Sequence, residues 1–502
     1  MYLHLALSRS IAEFYVKKVS MLALLIIIWY NTDIHWYSEN SIKWGWVMPV
    51  IQKRAKSFKP ARTIAFSFLI VIFLGTALLM LPVSSRSGDF TPFRHAFFTA
   101  TSATCVTGLV IYDTFQHWSY FGQFIILLMI QIGGLGLVTF VSFFNFIIGR
   151  KLGLRRMQVA SESVSGGGFD EAKSLIRNII KLSLVFEGVG AVLLMFAFIP
   201  RHGSEGIFMS IFIAVSAFCN AGFDVMGRTA EFSSLTGFYN NPYVLSVVMV
   251  LIICGGLGFV VWHDLSKYRK TGHLELHTRI VLTITGILIV FGAIFFAFFE
   301  WNNPLTLSNM SIPEKVFNSI FQSITCRTAG FNTIDIASLN PITKIFSIMI
   351  MFIGAAPGST GGGIKVTTIV VIVMTVISIL TNKEETTVFG RRVDKFIVYK
   401  SITITMLSMM AIFIGSMSVF FSLPAELGVS GVDTVFEVTS AFATVGLSSG
   451  VTANLNIFSE MIIIFIMFIG RVGPISVVLS LTMNSDDRSK NQVVPEGRVM
   501  VG

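Results

Sequence analysis

Eight apolar runs constrain this chain more than any other feature. They lie near 63–83, 119–149, 176–200, 243–262, 279–300, 341–380, 396–422 and 455–483. Each is at least as long as the roughly 20 residues a helix needs to cross a hydrocarbon core about 30 Å thick. No single water-soluble core hides eight of them. Hydrophobic residues make up 53% of the chain and charged residues 13%, where a soluble domain carries about 25% charge. Disorder and an ordinary cytosolic enzyme are thereby excluded. A secreted disulfide scaffold is excluded too, because Cys105, Cys219, Cys254 and Cys326 all lie in apolar or Gly-rich surroundings. The chain reads as an all-α polytopic membrane protein.

The net charge of +10 raises nucleic acid as a partner, but its distribution answers otherwise. Segments 53–62, 149–181, 263–279, 383–400 and the tail hold 24 of the 37 Lys and Arg residues, and the opposite loops hold seven. That asymmetry follows the positive-inside rule and puts those segments, with the C-terminus, in the cytoplasm. No nucleic-acid partner is expected. Met21–Tyr30 is apolar but short for a span. No small-residue cleavage site follows it, so residues 1–61 form an N-terminal extension, either an interfacial helix or one extra crossing.

Four short segments resemble one another: Phe98–Leu109, Phe212–Phe223, Phe321–Phe331 and Phe436–Leu447. In the first, second and fourth, a Phe stands ten residues and a Ser six residues before a glycine, namely Gly108, Gly222 and Gly446. The third is offset, with Phe321 nine before Gly330 and Ile324 in place of the Ser. The glycines are 114, 108 and 116 residues apart, and a second glycine cluster follows each, beginning at Gly133, Gly255, Gly354 and Gly470. The units run over 62–150, 176–264, 279–382 and 396–484, with a cytoplasmic tail at 485–502.

Two crossings per unit make the four units parallel repeats about an axis along the membrane normal. Stretches such as 206–218 or 431–443 are too short to span. They are expected to enter, stop near the midplane and return as extended chain, which hydrocarbon tolerates only beside a cavity or inside protein. Four such loops about one axis make a central cation pore. The C-terminal ends of the short helices direct partial negative charge at it. Inward carbonyls can replace an ion's water, and glycine permits the backbone angles they require.

The loops Val106–Leu109, Asn220–Phe223, Arg327–Thr333 and Thr444–Ser448, together with Pro357–Lys365 and the ending Pro495–Gly502, resemble the Trk/Ktr/HKT potassium transporters, and in particular the bacterial KtrB/TrkH membrane subunits. The resemblance covers about 62–502. It implies a K⁺ uptake subunit of a bacterial cell membrane, a homodimer embedded in lipid with one pore per protomer. It further implies a KtrA/TrkA-like cytosolic ring of regulatory subunits that carries the nucleotide, so that none is bound by this chain. The filter that binds K⁺ is expected at Thr107, Gly108, Ala221, Gly222, Ala329, Gly330, Val445 and Gly446. Four filter glycines look like the K⁺-selective members, whereas a Ser in the first loop accompanies Na⁺ transport in some plant relatives. The gate is expected at Gly358, Ser359, Thr360, Gly361, Gly362, Gly363, Lys365 and Arg471. Na⁺- or H⁺-coupled K⁺ symport on the same scaffold is the alternative, with Na⁺ as a second ion.

Other readings compete at single residues. The 358–365 run is no Walker A loop, because Ile364 separates the glycines from Lys365 and no strand precedes it. Arg471 is an intramembrane cation, read as an electrostatic barrier acting with that run rather than as a pin between helices. Glu187 is read as a packing acid bonded to a neighbour rather than a proton relay. Arg327 is expected to point away from the axis and tie filter backbone to an acid. His263, Asp264, His273 and His277 read as a solvated face rather than a metal site. No Ser-His-Asp, zinc-protease or paired-carboxylate pattern appears, so no enzymatic activity is expected.

Overall fold

The computed structural model describes residues 60–136, 169–228 and 230–481. The N-terminal extension before Pro60, most of the 149–181 segment and the tail from 482 onward, with the expectations attached to them, lie outside the described residues. What is described is a helical, membrane-type fold. Its first unit contains α1 (Pro60–Leu79), α2 (Phe93–Cys105) and α3 (Tyr120–Leu135). The second contains α4 (Phe169–His202), α5 (Glu205–Phe218), α6 (Pro242–Gly256) and α7 (Phe259–Thr271). The third contains α8 (Leu276–Glu300), α9 (Ile312–Thr325), α10 (Pro341–Phe352) and α11 (Val366–Leu380). The fourth contains α12 (Lys395–Ser422), α13 (Gly431–Ala443), α14 (Ile457–Val472) and α15 (Pro474–Leu481).

Helices α4, α8 and α12 contain stretches long and apolar enough to cross a membrane unbroken, and α6 with α7, bent by 93°, adds a broken span. The starts of these elements are written locally. Asn241, Ser430 and Asn456 accept from the N–H groups of Val244, Asp433 and Ser459, and Ser311 with Glu314 makes a capping box. Each cap satisfies an N–H that a helix start leaves without a partner.

One expectation is corrected at β1 (Thr387–Val388) and β2 (Arg391–Arg392), which pair antiparallel between α11 and α12. The chain is therefore not purely α. Phe389 and Gly390, at φ +47° and +73°, supply the two left-handed residues that so tight a hairpin needs. A second correction concerns the long apolar runs after the first, second and fourth short helices, which are not continuous helices. They break at Gly136, Gly258 and Gly473, with φ of +79°, +89° and +93°, while the third unit breaks over 353–365, where the Gly-rich run is expected to interrupt it.

The second glycine clusters have a packing reason that spacing alone does not reveal. A Cβ on Gly133, Gly255 or Gly470 would collide with the carbonyl oxygen of Thr104, Phe218 or Phe442, each four residues before its unit's loop glycine. Gly354 differs: its Cβ would meet the carbonyls of Gly362 and Ile364. Between units, α3 packs on α5, α6 on α9, α10 on α13 and α14 on α2, so the order of contacts closes on itself.

Replacing Gly255 or Gly470 by Ala should lower stability by about 1–3 kcal/mol, as overpacking does. Gly286→Ala, where nothing lies within 4 Å of the new Cβ, should leave it unchanged or slightly raised. Thermal unfolding midpoints of the detergent-purified proteins compare them. Equal midpoints for all three would mean that the short helices are free to move aside.

Candidate functional site

Each short helix ends three to five residues before its loop glycine, at Cys105, Phe218, Thr325 or Ala443. Two residues before the glycine the chain turns left-handed, at Val106 (φ +57°), Asn220 (+58°), Thr328 (+68°) and Thr444 (+51°). Non-glycine residues rarely adopt this region, yet it recurs at the same place in all four units. The glycines are left-handed too, between +70° and +93°.

These turns bring the four glycines together. A Cβ on Gly108 would meet the Ala221 carbonyl oxygen at 2.5 Å, and one on Gly222 the Ala329 oxygen at 2.9 Å. A Cβ on Gly330 would overlap the Val445 oxygen, and one on Gly446 the Thr107 oxygen. Each unit thus sets the carbonyl before its own glycine against the glycine of the preceding unit, and the fourth unit receives the carbonyl of the first. Thr107, Ala221, Ala329 and Val445 are fully buried. Every residue expected in the filter is in this ring.

Hydroxyls behind the ring hold it. Ser102 and Ser440 accept from the N–H of Gly108 and Gly446, both at 3.1 Å. Ser216 donates to the Phe223 carbonyl at 2.6 Å, and Thr325 to the Phe331 carbonyl at 2.5 Å. Aligned on the Phe rather than the glycine, every unit has a hydroxyl four residues later. The third unit's offset is one residue fewer between that hydroxyl and Gly330. This signal was present in the sequence as the Phe-to-Ser spacing, hidden by alignment on glycine.

On one side of the ring lies a cavity of about 230 Å³ that touches all four glycines, Asp113 and Asp224. Asp113 accepts from the N–H groups of Phe115, Gln116 and Phe232. Asp224 accepts one, from Met226 at 2.9 Å. Burial in its loop pushes the Asp224 carboxyl up to about 7, with the Asp113 charge adding to the rise and the Met226 N–H opposing it.

The expected gate residues lie at the other end, where the short helices terminate. Thr360 donates to the Phe218 carbonyl at 3.1 Å, and Phe259 N–H donates to the Gly358 carbonyl at 3.0 Å. A Cβ on Gly361 or Gly362 would run into the hydroxyl of Thr328 or Thr444, and Gly363 has φ of +69°. Ser359 is half-buried. Lys365 donates to the Gly361 carbonyl at 2.7 Å. Arg471 donates to the carbonyls of Thr360 and Gly133, and so joins the fourth unit to the third and first.

Two remaining polar groups end differently from one another. Glu187 accepts from Ser183 at 2.6 Å and Gln131 at 3.0 Å, as a packing acid bonded to its neighbours would. Arg327 is buried, but its partner is the Thr285 hydroxyl at 3.2 Å rather than an acid. No carboxylate pairs with it among the described residues. The four cysteines are buried and free. No cluster of three metal-ligating side chains occurs among the described residues, the His263–His277 segment included.

Residues 51–491 match the TrkH family, described as a cation transport protein. Over 459 residues the chain is 38% identical to the potassium/sodium uptake protein NtpJ of Enterococcus hirae, covering 91% of this chain and 100% of that one. Over 446 residues it is 37% identical to the Ktr system potassium uptake protein B of Bacillus subtilis, covering 89% and 97%. Its fold is similar to the crystal structure of the potassium transporter TrkH from Vibrio parahaemolyticus, with a TM-score of 0.66 at 15% identity over 86% of each chain. The ring, the broken helices and these likenesses agree, and the chain belongs to the TrkH family of cation transport proteins, as an integral membrane transporter and not an enzyme.

Proposed function

We propose that this chain takes up K⁺ through a pore on the axis of its four units, with the glycine ring as selectivity filter. The observation that carries the reading is the cyclic approach of Gly108, Gly222, Gly330 and Gly446, each against the preceding carbonyl of the next unit. Four carbonyls so arranged replace the water of a partly dehydrated alkali cation. The C-termini of α2, α5, α9 and α13 add partial negative charge beneath them. The names of the relatives, which are potassium uptake proteins, favour K⁺ as the ion.

The cavity above the ring faces outward and the Gly-rich loop faces the cytoplasm, as does the C-terminus. The loop 358–363, with Lys365 and Arg471, is the gate. It occupies the path below the filter, where two cations oppose a third. A cytosolic nucleotide-binding ring governs it, docked on the basic segments 150–181 and 383–400 and on the tail, and two copies of this chain form the membrane unit. That the Bacillus subtilis relative belongs to a named Ktr system supports a further subunit. A second reading, Na⁺-coupled K⁺ uptake, is favoured by the potassium/sodium name of the Enterococcus hirae relative. H⁺-coupled uptake is its variant on the same scaffold.

Gly108→Ser should lower K⁺ over Na⁺ discrimination by about tenfold, a change of about 1.4 kcal/mol. Its Cβ has no room beside Ala221 and must shift a filter carbonyl. Reversal potentials in liposomes containing the purified protein measure it, and an unchanged ratio in a folded variant removes Gly108 from the filter. Deleting Gly358–Gly363 should raise flux and weaken its dependence on the regulator, with Arg471→Ala acting the same way more mildly. A deletion that folds and binds K⁺ yet transports less under every condition would overturn the gate. Absence of any alkali-cation flux in the unaltered protein would overturn transport by this chain altogether.

A further inference from the structure

The position two residues beyond each ring glycine is occupied by Val110, Asp224, Asn332 and Ser448. All four line the cavity above the ring. They are equivalent places in four similar units, yet they carry an apolar side chain, a carboxylate, an amide and a hydroxyl. The second unit alone supplies a charge at this level.

The hydrogen bonds separate Asp224 from the other acids at the cavity. Asp113 is saturated by three backbone N–H groups. Asp335 accepts from the Ala337 N–H and the Ser338 hydroxyl and is exposed. Asp224 is half-buried and accepts only the Met226 N–H, so most of its lone pairs are left for another donor or a cation. Asn332 uses its Nδ2 on the Ile334 carbonyl at 3.1 Å, which leaves its amide oxygen to accept. Ser448 accepts from Gly450 N–H at 3.0 Å and keeps a further lone pair.

We infer that Asp224, Asn332 and Ser448 form an outer binding site for a single monovalent alkali cation, immediately above the filter, where the ion loses part of its water before reaching the glycine ring. This inference rests on the proposed transport function and adds to it a second site. One carboxylate among neutral oxygens suits a monovalent ion. A calcium-type site surrounds its ion with six to eight oxygens, several of them from carboxylates. Val110 offers no ligand, so the ion is held from one side and can leave downward.

The test is K⁺ flux at clamped voltage into liposomes containing the full-length protein, over external K⁺ concentration. The half-saturating K⁺ concentration should rise several-fold in Asp224→Asn, with the maximal flux less affected, and Asp224→Glu should bring it back towards the unaltered value. K⁺ over Na⁺ discrimination should persist in both variants, which separates this site from the filter, and millimolar Mg²⁺ should compete poorly. An Asp224→Asn protein that conducts with the unaltered K⁺ affinity overturns the outer site and leaves the transport reading standing. So does tight competition by Mg²⁺, for the monovalent assignment. No alkali-cation flux in the unaltered protein overturns both readings together.

Discussion

Everything near the axis depends on a backbone approach that admits no Cβ. Gly222 and Gly330 lie so close that a Cβ on either would be 2.9 Å from the other's Cα. Closing a ring at that distance requires four chains to turn away from helical geometry at the same level. The left-handed residues two before each glycine make the turn, and the hydroxyls of Ser102, Ser216, Thr325 and Ser440 hold it. The second glycine clusters serve the same end one layer out, because they let the following helices press against the short-helix carbonyls. Helical glycine costs about 1 kcal/mol relative to Ala. At Gly133, Gly255 and Gly470 that cost is offset by the contact each permits.

Breaking helices inside a membrane leaves carbonyls without partners, and an intramembrane cation costs several kcal/mol without one. The fold sets these two deficits against each other. Arg471 reaches the Gly133 carbonyl at the end of α3 and the Thr360 carbonyl in the loop. Lys365 reaches the Gly361 carbonyl from its own loop. Arg471 therefore pins units together. On the proposed reading the pin and the barrier are one arrangement, because the carbonyls that hold the guanidinium belong to the elements that would bound the path.

Much of this was legible in the sequence. The short helices over 206–218 and 431–443 differ by at most one residue from Glu205–Phe218 and Gly431–Ala443, since flanking glycine and polar residues end them sharply. The four ring glycines and the break at 358–365 follow from spacing and composition. The breaks at Gly136, Gly258 and Gly473 were not legible, because hydropathy is blind to a φ reversal inside an apolar run. Arg327 pairs with Thr285 rather than an acid because its partner lies on α8, 42 residues away, and nothing local marks it. The residues two before the ring glycines, Val106, Asn220, Thr328 and Thr444, are of three side-chain types, so only backbone geometry reveals that all four are left-handed. The hairpin at 387–392 was hidden by its brevity.

The Gly-rich loop is attached unevenly, and this sets what moving it requires. Four of its hydrogen bonds go to the second unit: Ala356 N–H to Gly256, Thr360 N–H to Gly255, Phe259 N–H to Gly358, and the Thr360 hydroxyl to Phe218. A fifth runs from Arg471 of the fourth unit. At a net 0.5–1.5 kcal/mol each, releasing all five costs about 3–7 kcal/mol. That range is close to the differential binding energy, about 5.5 kcal/mol, that carries a two-state equilibrium from almost wholly one state to almost wholly the other. The loop also bears on the filter, since Gly361 and Gly362 lie against the side chains of Thr328 and Thr444. Those two residues set the turns into Gly330 and Gly446. Displacing the loop therefore removes a contact from the third and fourth strands of the ring, while all four keep the braces of Ser102, Ser216, Thr325 and Ser440. The Gly-rich loop and the glycine ring are neighbours in contact, and the four units that meet at the ring are unequal beneath it.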